Sequence, residues 1–181
     1  MSTSAPVLAE VSYSYVDSAL GQVLVTSQDN KLTGLYFKGR HHARTFPTWV
    51  NRDDLQLFAQ TEQQLDEFAN GVRKTFDLPI HLNGTPFRMQ VWNEIAKIPF
   101  GETITYSEIA ELIDKPDAVR AVGTATGANP LSIIIPCHRV VGKCGTMTGY
   151  AGGIPRKTAL LDFESGKTAS LYSDPFAESE D

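Results

Sequence analysis

The hydrophobic pattern of the chain changes at residues 83–86, and this change limits the possible folds more than any other feature. Before it, short segments rich in Val, Tyr, Leu and Phe alternate with turn residues, which is typical of strands in an antiparallel sheet. After it, apolar residues recur at helical spacing. The pattern predicts an α+β chain with its strands in the first half and its helices in the second.

The N-terminal part is predicted to form a three-stranded antiparallel sheet with one helix. The helix is expected over residues 53–70, where Leu57 and Leu65 stand at helical spacing and Gly71 ends the pattern. Residues 39–51, between sheet and helix, are predicted to form a loop. The predicted strands cover residues 11–16, 22–27 and 32–37, with one more at 76–80.

The C-terminal part begins with two predicted helices. Phe87, Val91 and Ile95 repeat every four residues and indicate the first helix. Thr105 and Glu108 have the spacing of a capping box, which favours the start of a second helix that runs through Leu112.

A third helix is predicted from Pro116 to about residue 126, after only a short break. Two helices joined by so short a turn indicate a helix-turn-helix. Small residues are frequent in the third helix, which fits either close packing on another helix or close approach to a groove of DNA. They are Ala118, Ala121, Gly123, Thr124 and Ala125.

The remaining pattern places a cysteine at the end of an apolar run. Residues 131–135 form a continuous apolar run, typical of a buried strand, and lead directly to Cys137. The glycine-rich residues 140–153 are predicted to form a loop or hairpin, which would be the wing of a winged helix-turn-helix. A last helix is expected over residues 155–164, with Gly166 just past its end.

Charge is unevenly distributed. The net charge of -5 argues against a nucleic acid partner, but residues 114–157 hold six basic and two acidic side chains. Residues 167–181 are acidic and are predicted to form a disordered tail.

Composition also bears on location and metal binding. The sequence contains no run of about 18 apolar residues, so no membrane span is predicted. Residues 1–10 lack the pattern of a secretion signal, and two cysteines suit a reducing compartment. A cytoplasmic protein is expected. The four histidines and two cysteines show no zinc-ligand spacing, so no metal and no other cofactor is expected.

Cys137 is the candidate for chemistry. A cysteine after an apolar run is often an inert core residue. Here Pro136 precedes it, His138 follows it, and a glycine-rich loop opens soon afterwards. An imidazole beside a thiol is a common means of forming the reactive thiolate. Glu164 is the candidate to orient His138, because a carboxylate near a helix C-terminus is disfavoured without a partner.

Arg156 and Lys157 lie in the first turn of the last predicted helix, where cations are disfavoured. Either an external phosphate or plain solvation would compensate for them.

The segment Pro136-Cys137-His138-Arg139-Val140 looks like the signature of a known family. That family is the O6-alkylguanine-DNA alkyltransferases, which the chain resembles between residues 85 and 166. Further matching segments, in the same order and spacing, are 87–92, 98–101, Thr105-Tyr106, Ile109-Ala110, 120–123, 128–130, 150–153 and 160–164. The N-terminal part resembles the family only in its outline of strands and helix, which is ribonuclease H-like.

The resemblance implies roles for individual residues. Cys137 would accept an alkyl group from O6 of guanine in DNA, permanently and once per molecule. His138 would take the thiol proton through a water, and Glu164 would orient His138. Tyr106 would hydrogen-bond to N3 of the base and supply a proton there. Asn129 would brace the turn before Cys137. The implied base pocket comprises Val140, Tyr150, Ala151, Gly152 and Lys157. The Ala151 amide would donate to O6, and the carbonyls of Cys137 and Val140 would accept from the exocyclic amine.

The implied partner is double-stranded alkylated DNA bound from the minor groove. The target base would be flipped out of the duplex, and Arg120 would fill the gap. O4-alkylthymine is a second candidate substrate. The residues expected at the DNA are Thr105, Arg120, Ala121, Gly123, Thr124 and Arg139.

The family outline divides the chain into residues 1–82, a linker at 83–86, an alkyl-transfer and DNA-binding domain at 87–166, and the tail at 167–181. A monomer that can cluster cooperatively on DNA is expected, without the zinc ion of some relatives. Cys144 is expected to have no role in the reaction.

Two alternative functions remain open. A DNA-binding module without enzymatic activity would leave Cys137, His138 and Glu164 unexplained. A cysteine hydrolase would carry out many turnovers per molecule.

Overall fold

The N-terminal sheet has the predicted antiparallel core and one further strand. The structure, a computed structural model, describes residues 10–40 and 43–171. Strands β1 (Ser12–Val16), β2 (Val23–Gln28) and β3 (Lys31–Phe37) pair antiparallel in sequence order, as predicted. A short strand β4 (Val50–Asn51) pairs parallel with β1 at the end of the segment predicted to be a loop. The sheet order is β3-β2-β1-β4.

The two residues between β2 and β3 have the backbone conformation of a tight hairpin turn. Asp29 and Asn30 both have positive φ, 49° and 57°. A two-residue hairpin turn requires such values, and Asp and Asn tolerate them better than most residues.

The N-terminal helix is confirmed, but the strand predicted after it is not formed. Helix α1 (Gln56–Ala69) buries Leu57, Phe58, Leu65 and Phe68. At 76–80 only Ile80 forms a bridge, to Leu32 of β3. The prediction of a full strand is wrong because Pro79 has no amide hydrogen for a ladder, although its carbonyl accepts from the Leu32 amide at 2.8 Å.

The predicted C-terminal helices are all present. The Trp92 indole donates to the carbonyl of Ala125 at 2.8 Å and ties the first of them to the third. The elements are α2 (Pro86–Ala96), β5 (Ile104–Thr105), α3 (Tyr106–Leu112), a 3-10 turn (Pro116–Ala118), α4 (Val119–Gly127), β6 (Val140–Val141) and α5 (Ile154–Glu164).

The strand predicted directly before Cys137 is not formed. Residues 131–135 are buried except for half-buried Ile134, but they make only isolated bridges, because Ile133 adopts a φ of 72° that breaks an extended strand. Of the two alternatives predicted for the wing, the loop is the one observed, since β6 pairs parallel with β5 and residues 142–153 form no strand. Beyond β6 a 3-10 turn (Lys143–Gly145) follows, and Cys144 is exposed in it.

The tail also differs from its prediction at its start. Leu171 is 3% exposed, and its amide donates to the carbonyl of Ala69 at 3.1 Å. The acidic residues 174–181, the N-terminal residues 1–9 and two of the four histidines, His41 and His42, lie outside the described residues. None of the helices formed by residues 10–40 and 43–171 has the length and apolar character of a membrane span.

Edge strand β3 holds the segment that precedes Cys137. The Leu35 amide donates to the Pro130 carbonyl at 2.8 Å, and the Ser132 amide donates to the Leu35 carbonyl at 3.2 Å. Leu35, Leu131 and Ile135 belong to one buried cluster that contains residues from both halves of the chain. The sheet therefore supports the cysteine segment from behind.

Candidate active site and nucleic-acid interface

Cys137 opens a short 3-10 turn (Cys137–Arg139) directly after Pro136. Its side chain is almost fully buried, with 3% of the residue exposed. The side-chain amide of Asn129 donates to its sulfur at 3.1 Å. Burial raises the pKa of the Cys137 thiol, while the Asn129 hydrogen bond and the positive charge of Lys157 act in the opposite direction. The sulfur is therefore ready to ionise only with help from its neighbours.

Asn129 ties the end of the helix-turn-helix to the cysteine segment. Its amide nitrogen also donates to the carbonyl of Ile135 at 2.8 Å, and its side-chain oxygen accepts from the Leu131 amide at 3.0 Å. Asn129 is buried two residues beyond the end of α4. One side chain thus bonds to both ends of the segment 131–137 and contacts the sulfur.

Behind Cys137, His138 and Glu164 form a buried pair. Nε2 of His138 lies 2.7 Å from Oε1 of Glu164, and both side chains are at most 1% exposed. An ionised carboxylate only accepts hydrogen bonds, so Nε2 carries the proton and Nδ1 carries the lone pair. Burial lowers the pKa of His138, and the carboxylate opposes that shift. His138 is neutral near pH 7 and has the form of a general base.

Arg139 is a third member of this buried group and does not point toward DNA. Its Nε and Nη2 donate to the two oxygens of Glu164 at 2.8 and 2.9 Å, and its Nη1 donates to the Ile98 carbonyl at 2.6 Å. The prediction that Arg139 contacts DNA is wrong for this reason, since the buried guanidinium is committed inside the protein. Burial would raise the pKa of Glu164, but the bonds from His138 and Arg139 outweigh it and lower the pKa to about 2.

Lys157 and Arg156 also have internal partners. Nζ of Lys157 donates to the carbonyls of Val140 at 2.6 Å and Thr148 at 3.0 Å, and burial lowers its pKa. The Arg156 guanidinium donates to the Gly152 carbonyl at 3.2 Å and lies over the ring of Phe37. Neither an external phosphate nor solvation compensates for these cations, because they join α5 to the wing and to the sheet.

Tyr106 contacts the wing. The Thr148 hydroxyl donates to the Tyr106 hydroxyl at 3.1 Å. The Gly153 amide donates to the Tyr150 carbonyl at 2.9 Å, which closes a turn over residues 150–153. Ala151 is half-buried in this turn and Gly152 is buried. The structure therefore brings together the residues predicted to line a base pocket, with Lys157 beneath them.

Helix α4 presents an exposed face next to this region. Arg120, Ala121 and Thr124 are exposed, and the neighbouring Gly123 lies close to the Tyr106 ring. Thr105 has another use, because it caps α3 through its hydroxyl, which accepts from the Glu108 amide at 3.2 Å. Arg120 is thus available to a partner, whereas the Thr105 side chain is engaged in the capping box.

Sequence reasoning missed two contributors to the site. Thr148 was not singled out, and Arg139 was given a partner outside the protein. The Arg139–Glu164 pair did have a signal in the sequence. Glu164 was already expected to bond to His138, and Arg139 is the next residue and carries a positive charge. Nothing local could have indicated Thr148, which reaches Tyr106 across 42 residues.

Fold and site together define a protein with a buried cysteine, a neutral histidine base held by a carboxylate, and an exposed helix-turn-helix beside them. Two family models match the chain: "6-O-methylguanine DNA methyltransferase, ribonuclease-like domain" at residues 11–82 and "6-O-methylguanine DNA methyltransferase, DNA binding domain" at residues 86–166. The chain belongs to this family.

Individual relatives resemble the chain over most of its length. The inducible methylated-DNA--protein-cysteine methyltransferase of Bacillus subtilis is 42% identical over 87% of this chain and 87% of its own. The corresponding protein of Methanosarcina barkeri is 40% identical over 84% of this chain and 96% of its own. The crystal structure of Mycobacterium tuberculosis OGT in complex with DNA superposes with a TM-score of 0.81 at 38% identity, covering 88% of this chain and 96% of that one.

Proposed function

We propose that this protein repairs DNA by transferring an alkyl group from O6 of guanine to Cys137. The observation that carries the proposal is the buried Cys137 sulfur, which Asn129 contacts and which the His138–Glu164 pair adjoins. Related proteins are named methylated-DNA--protein-cysteine methyltransferases, and a similar structure was solved in complex with DNA. Alkylated double-stranded DNA is accordingly the partner.

The chemistry is a displacement at a saturated carbon. A sulfur–carbon bond forms at Cys137 as the carbon–O6 bond of the lesion breaks. The thiol proton passes to Nδ1 of His138 through a water, and Glu164 stabilises the resulting imidazolium. The departing guanine takes a proton from the Tyr106 hydroxyl at N3, which lowers the cost of its developing negative charge. The Tyr106 phenolate then recovers a proton from water, and the His138 imidazolium releases one to water.

The wing would recognise the base through its backbone. The Ala151 amide would donate to O6, and the carbonyls of Cys137 and Val140 would accept from the exocyclic amine. The Val140 carbonyl already accepts from Lys157 at 2.6 Å, but a carbonyl oxygen has a second lone pair for another donor. Backbone recognition at these positions does not depend on side-chain identity, so alanine serves at residue 151.

A base inside a duplex cannot reach a buried sulfur, so the nucleotide must be flipped out. Arg120 on the exposed face of α4 would occupy the gap, and Ala121 and Thr124 would lie against the minor groove. Minor-groove readout carries little sequence information, which suits a protein that must repair lesions in any context.

The reaction ends with a thioether, which is stable in water, so each molecule acts once. Transfer of a labelled methyl group from an O6-methylguanine duplex should stop at one group per protein molecule. Cys144→Ser should behave like the wild type, and Cys137→Ala should transfer nothing while retaining lesion binding. Many turnovers, or transfer by Cys137→Ala, would refute the proposal.

Three further features belong to the proposal. The protein acts as a monomer in solution that can cluster along DNA, it accepts O4-alkylthymine as a second substrate, and it works in the cytoplasm. The uneven charge and the two cysteines of the sequence support a DNA partner and a reducing location.

A further inference from the structure

Two buried polar atoms beside Cys137 have no hydrogen-bond partner within residues 10–40 and 43–171. They are Nδ1 of His138 and the hydroxyl of Tyr150. Their rings are neighbours, with centroids 6.3 Å apart and planes at 73°. Buried polar atoms in proteins are nearly always hydrogen-bonded to protein or to ordered water, so two neighbouring unsatisfied polar atoms need an explanation.

The Tyr150 ring is fixed in this place by packing. It contacts Phe37 edge to face, with centroids 6.2 Å apart. Gly152 lies against both rings, since a Cβ atom there would come within 2.6 Å of the Tyr150 ring and 2.7 Å of the Phe37 ring. Any larger residue at 152 would displace the ring, so glycine allows the hydroxyl to stay next to His138 and Cys137.

The two orphaned atoms are complementary. Nδ1 of His138 carries a lone pair and can only accept, because Nε2 holds the proton against Glu164. The Tyr150 hydroxyl can donate. Burial raises the pKa of Tyr150 well above 10, and the charge of Cys137 raises it further against the opposing charge of Arg156, so the hydroxyl keeps its proton. A water molecule needs two to four such partners to be held in a buried site.

We propose that the Tyr150 hydroxyl and His138 Nδ1 hold the water through which Cys137 loses its proton, which makes Tyr150 a positioning residue for alkyl transfer as well as a wall of the base pocket. The water accepts a hydrogen bond from Tyr150 and donates one to His138. During transfer it takes the thiol proton and passes a proton to Nδ1, while Tyr150 keeps its own. The inference rests on the proposed alkyl transfer and assigns a further residue to it.

The test compares Tyr150→Phe with the wild type in single-turnover transfer from an O6-methylguanine duplex, measured across pH. Tyr15→Phe is the matched control, since it removes one hydroxyl from β1, far from Cys137 in the sequence. Tyr150→Phe should keep its lesion affinity and its thermal midpoint, and should transfer about tenfold more slowly near pH 7. The deficit should shrink at high pH, where the thiol ionises without the relay.

Equal rates for Tyr150→Phe and the wild type at every pH would overturn the inference. So would a loss of the same size at every pH with weaker lesion binding, which is the result for a pocket wall alone. If the wild type and Tyr15→Phe also fail to transfer, the proposed function itself is wrong. A high-resolution crystal structure of the free protein gives an independent check, because it should show a water bonded to both Tyr150 and His138, and its absence would refute the assignment.

Discussion

Each charged residue near Cys137 is held by partners from distant parts of the sequence. Glu164 accepts from His138 and Arg139, 26 and 25 residues away. Lys157 reaches the Val140 carbonyl across 17 residues. The bonds from His138 and Arg139 keep Glu164 ionised in an environment where an isolated charge would be unfavourable, while burial keeps His138 neutral against the opposing effect of the carboxylate. The reactivity of Cys137 therefore depends on a network and not only on the adjacent histidine.

The Glu164 pKa predicts how stability varies with acid. Its folded value of about 2 is below the usual 4.5, so its contribution to stability is complete above pH 4.5 and is lost as the pH falls toward 2. The shift corresponds to about 3 kcal/mol. The difference in unfolding free energy between the wild type and Glu164→Gln should therefore shrink over that range in denaturant titrations.

Glu111→Gln, at an exposed carboxylate of α3, is the control and should show no such convergence. A difference between the wild type and Glu164→Gln that stays constant from pH 5 to pH 2 would contradict the assigned ion pairing.

The second prediction for a single residue concerns Arg139. Arg139→Met leaves Glu164 buried without its bidentate partner, and removing one member of a buried pair typically costs about 3–5 kcal/mol. Urea unfolding should show that loss. Arg52→Met removes an exposed pair with Asp54 and should change stability little. Unchanged stability of Arg139→Met together with weaker DNA binding would restore the original expectation of a DNA contact.

The sequence predicts individual residues well where the signal is local. Thr105 and Glu108 cap α3 as their spacing indicates, and Gly166 has a φ of 79° just past α5. Arg139 and Lys157 could not be placed in this way, because their partners are set by tertiary packing. A basic side chain in a sequence bears no mark of whether it faces solvent, a phosphate or a buried carboxylate.

At the level of elements, the helices were more predictable than the extended segments. Helical periodicity with Pro116 and the Thr105 capping box located α3 and α4 to within a few residues. Residues 76–80 and 131–135 have strand-like composition but form only isolated bridges. Strands need partners, and neither Pro79 nor the positive φ of Ile133 permits a full ladder.

The exposed face of α4 carries a prediction of its own. Arg120→Ala should slow transfer from duplex DNA about tenfold or more. Flipping the base costs a few kcal/mol of stacking, and no side chain would then fill the gap to offset that cost. Transfer from the free O6-alkylguanine base, which needs no flipping, should be unaffected. Arg88→Ala, an exposed arginine on α2, is the control.

Single-turnover rates on both substrates measure this effect. Equal slowing on the duplex and on the free base would show that Arg120 acts on the pocket and not on the DNA.

At the scale of the whole molecule, the two halves share one buried cluster. Leu35 of β3 lies fully buried against the segment that leads to Cys137, and Arg156 of α5 covers Phe37 of the same strand. The change of pattern at residues 83–86 predicted two different kinds of structure. It could not indicate how they pack, because the contacts join residues almost 100 positions apart.

Leu35→Ala tests this shared core. A buried leucine truncation typically costs about 2–5 kcal/mol, and the whole chain should unfold in one transition at lower denaturant. Leu112→Ala, at an exposed position of α3, should leave the midpoint nearly unchanged. Two separate transitions, of which only the N-terminal one shifts, would mean that the halves fold independently.

The central claim is that Cys137 keeps the alkyl group. Intact-protein mass spectrometry after incubation with an O6-methylguanine duplex tests it most directly, followed by peptide mapping. Permanent transfer to Cys137 predicts a gain of one methylene, roughly 14 daltons as expected for a covalent cysteine intermediate that is not released, located on Cys137 and not on Cys144. An unchanged mass with tight lesion binding, or a gain located on any other residue, would contradict it.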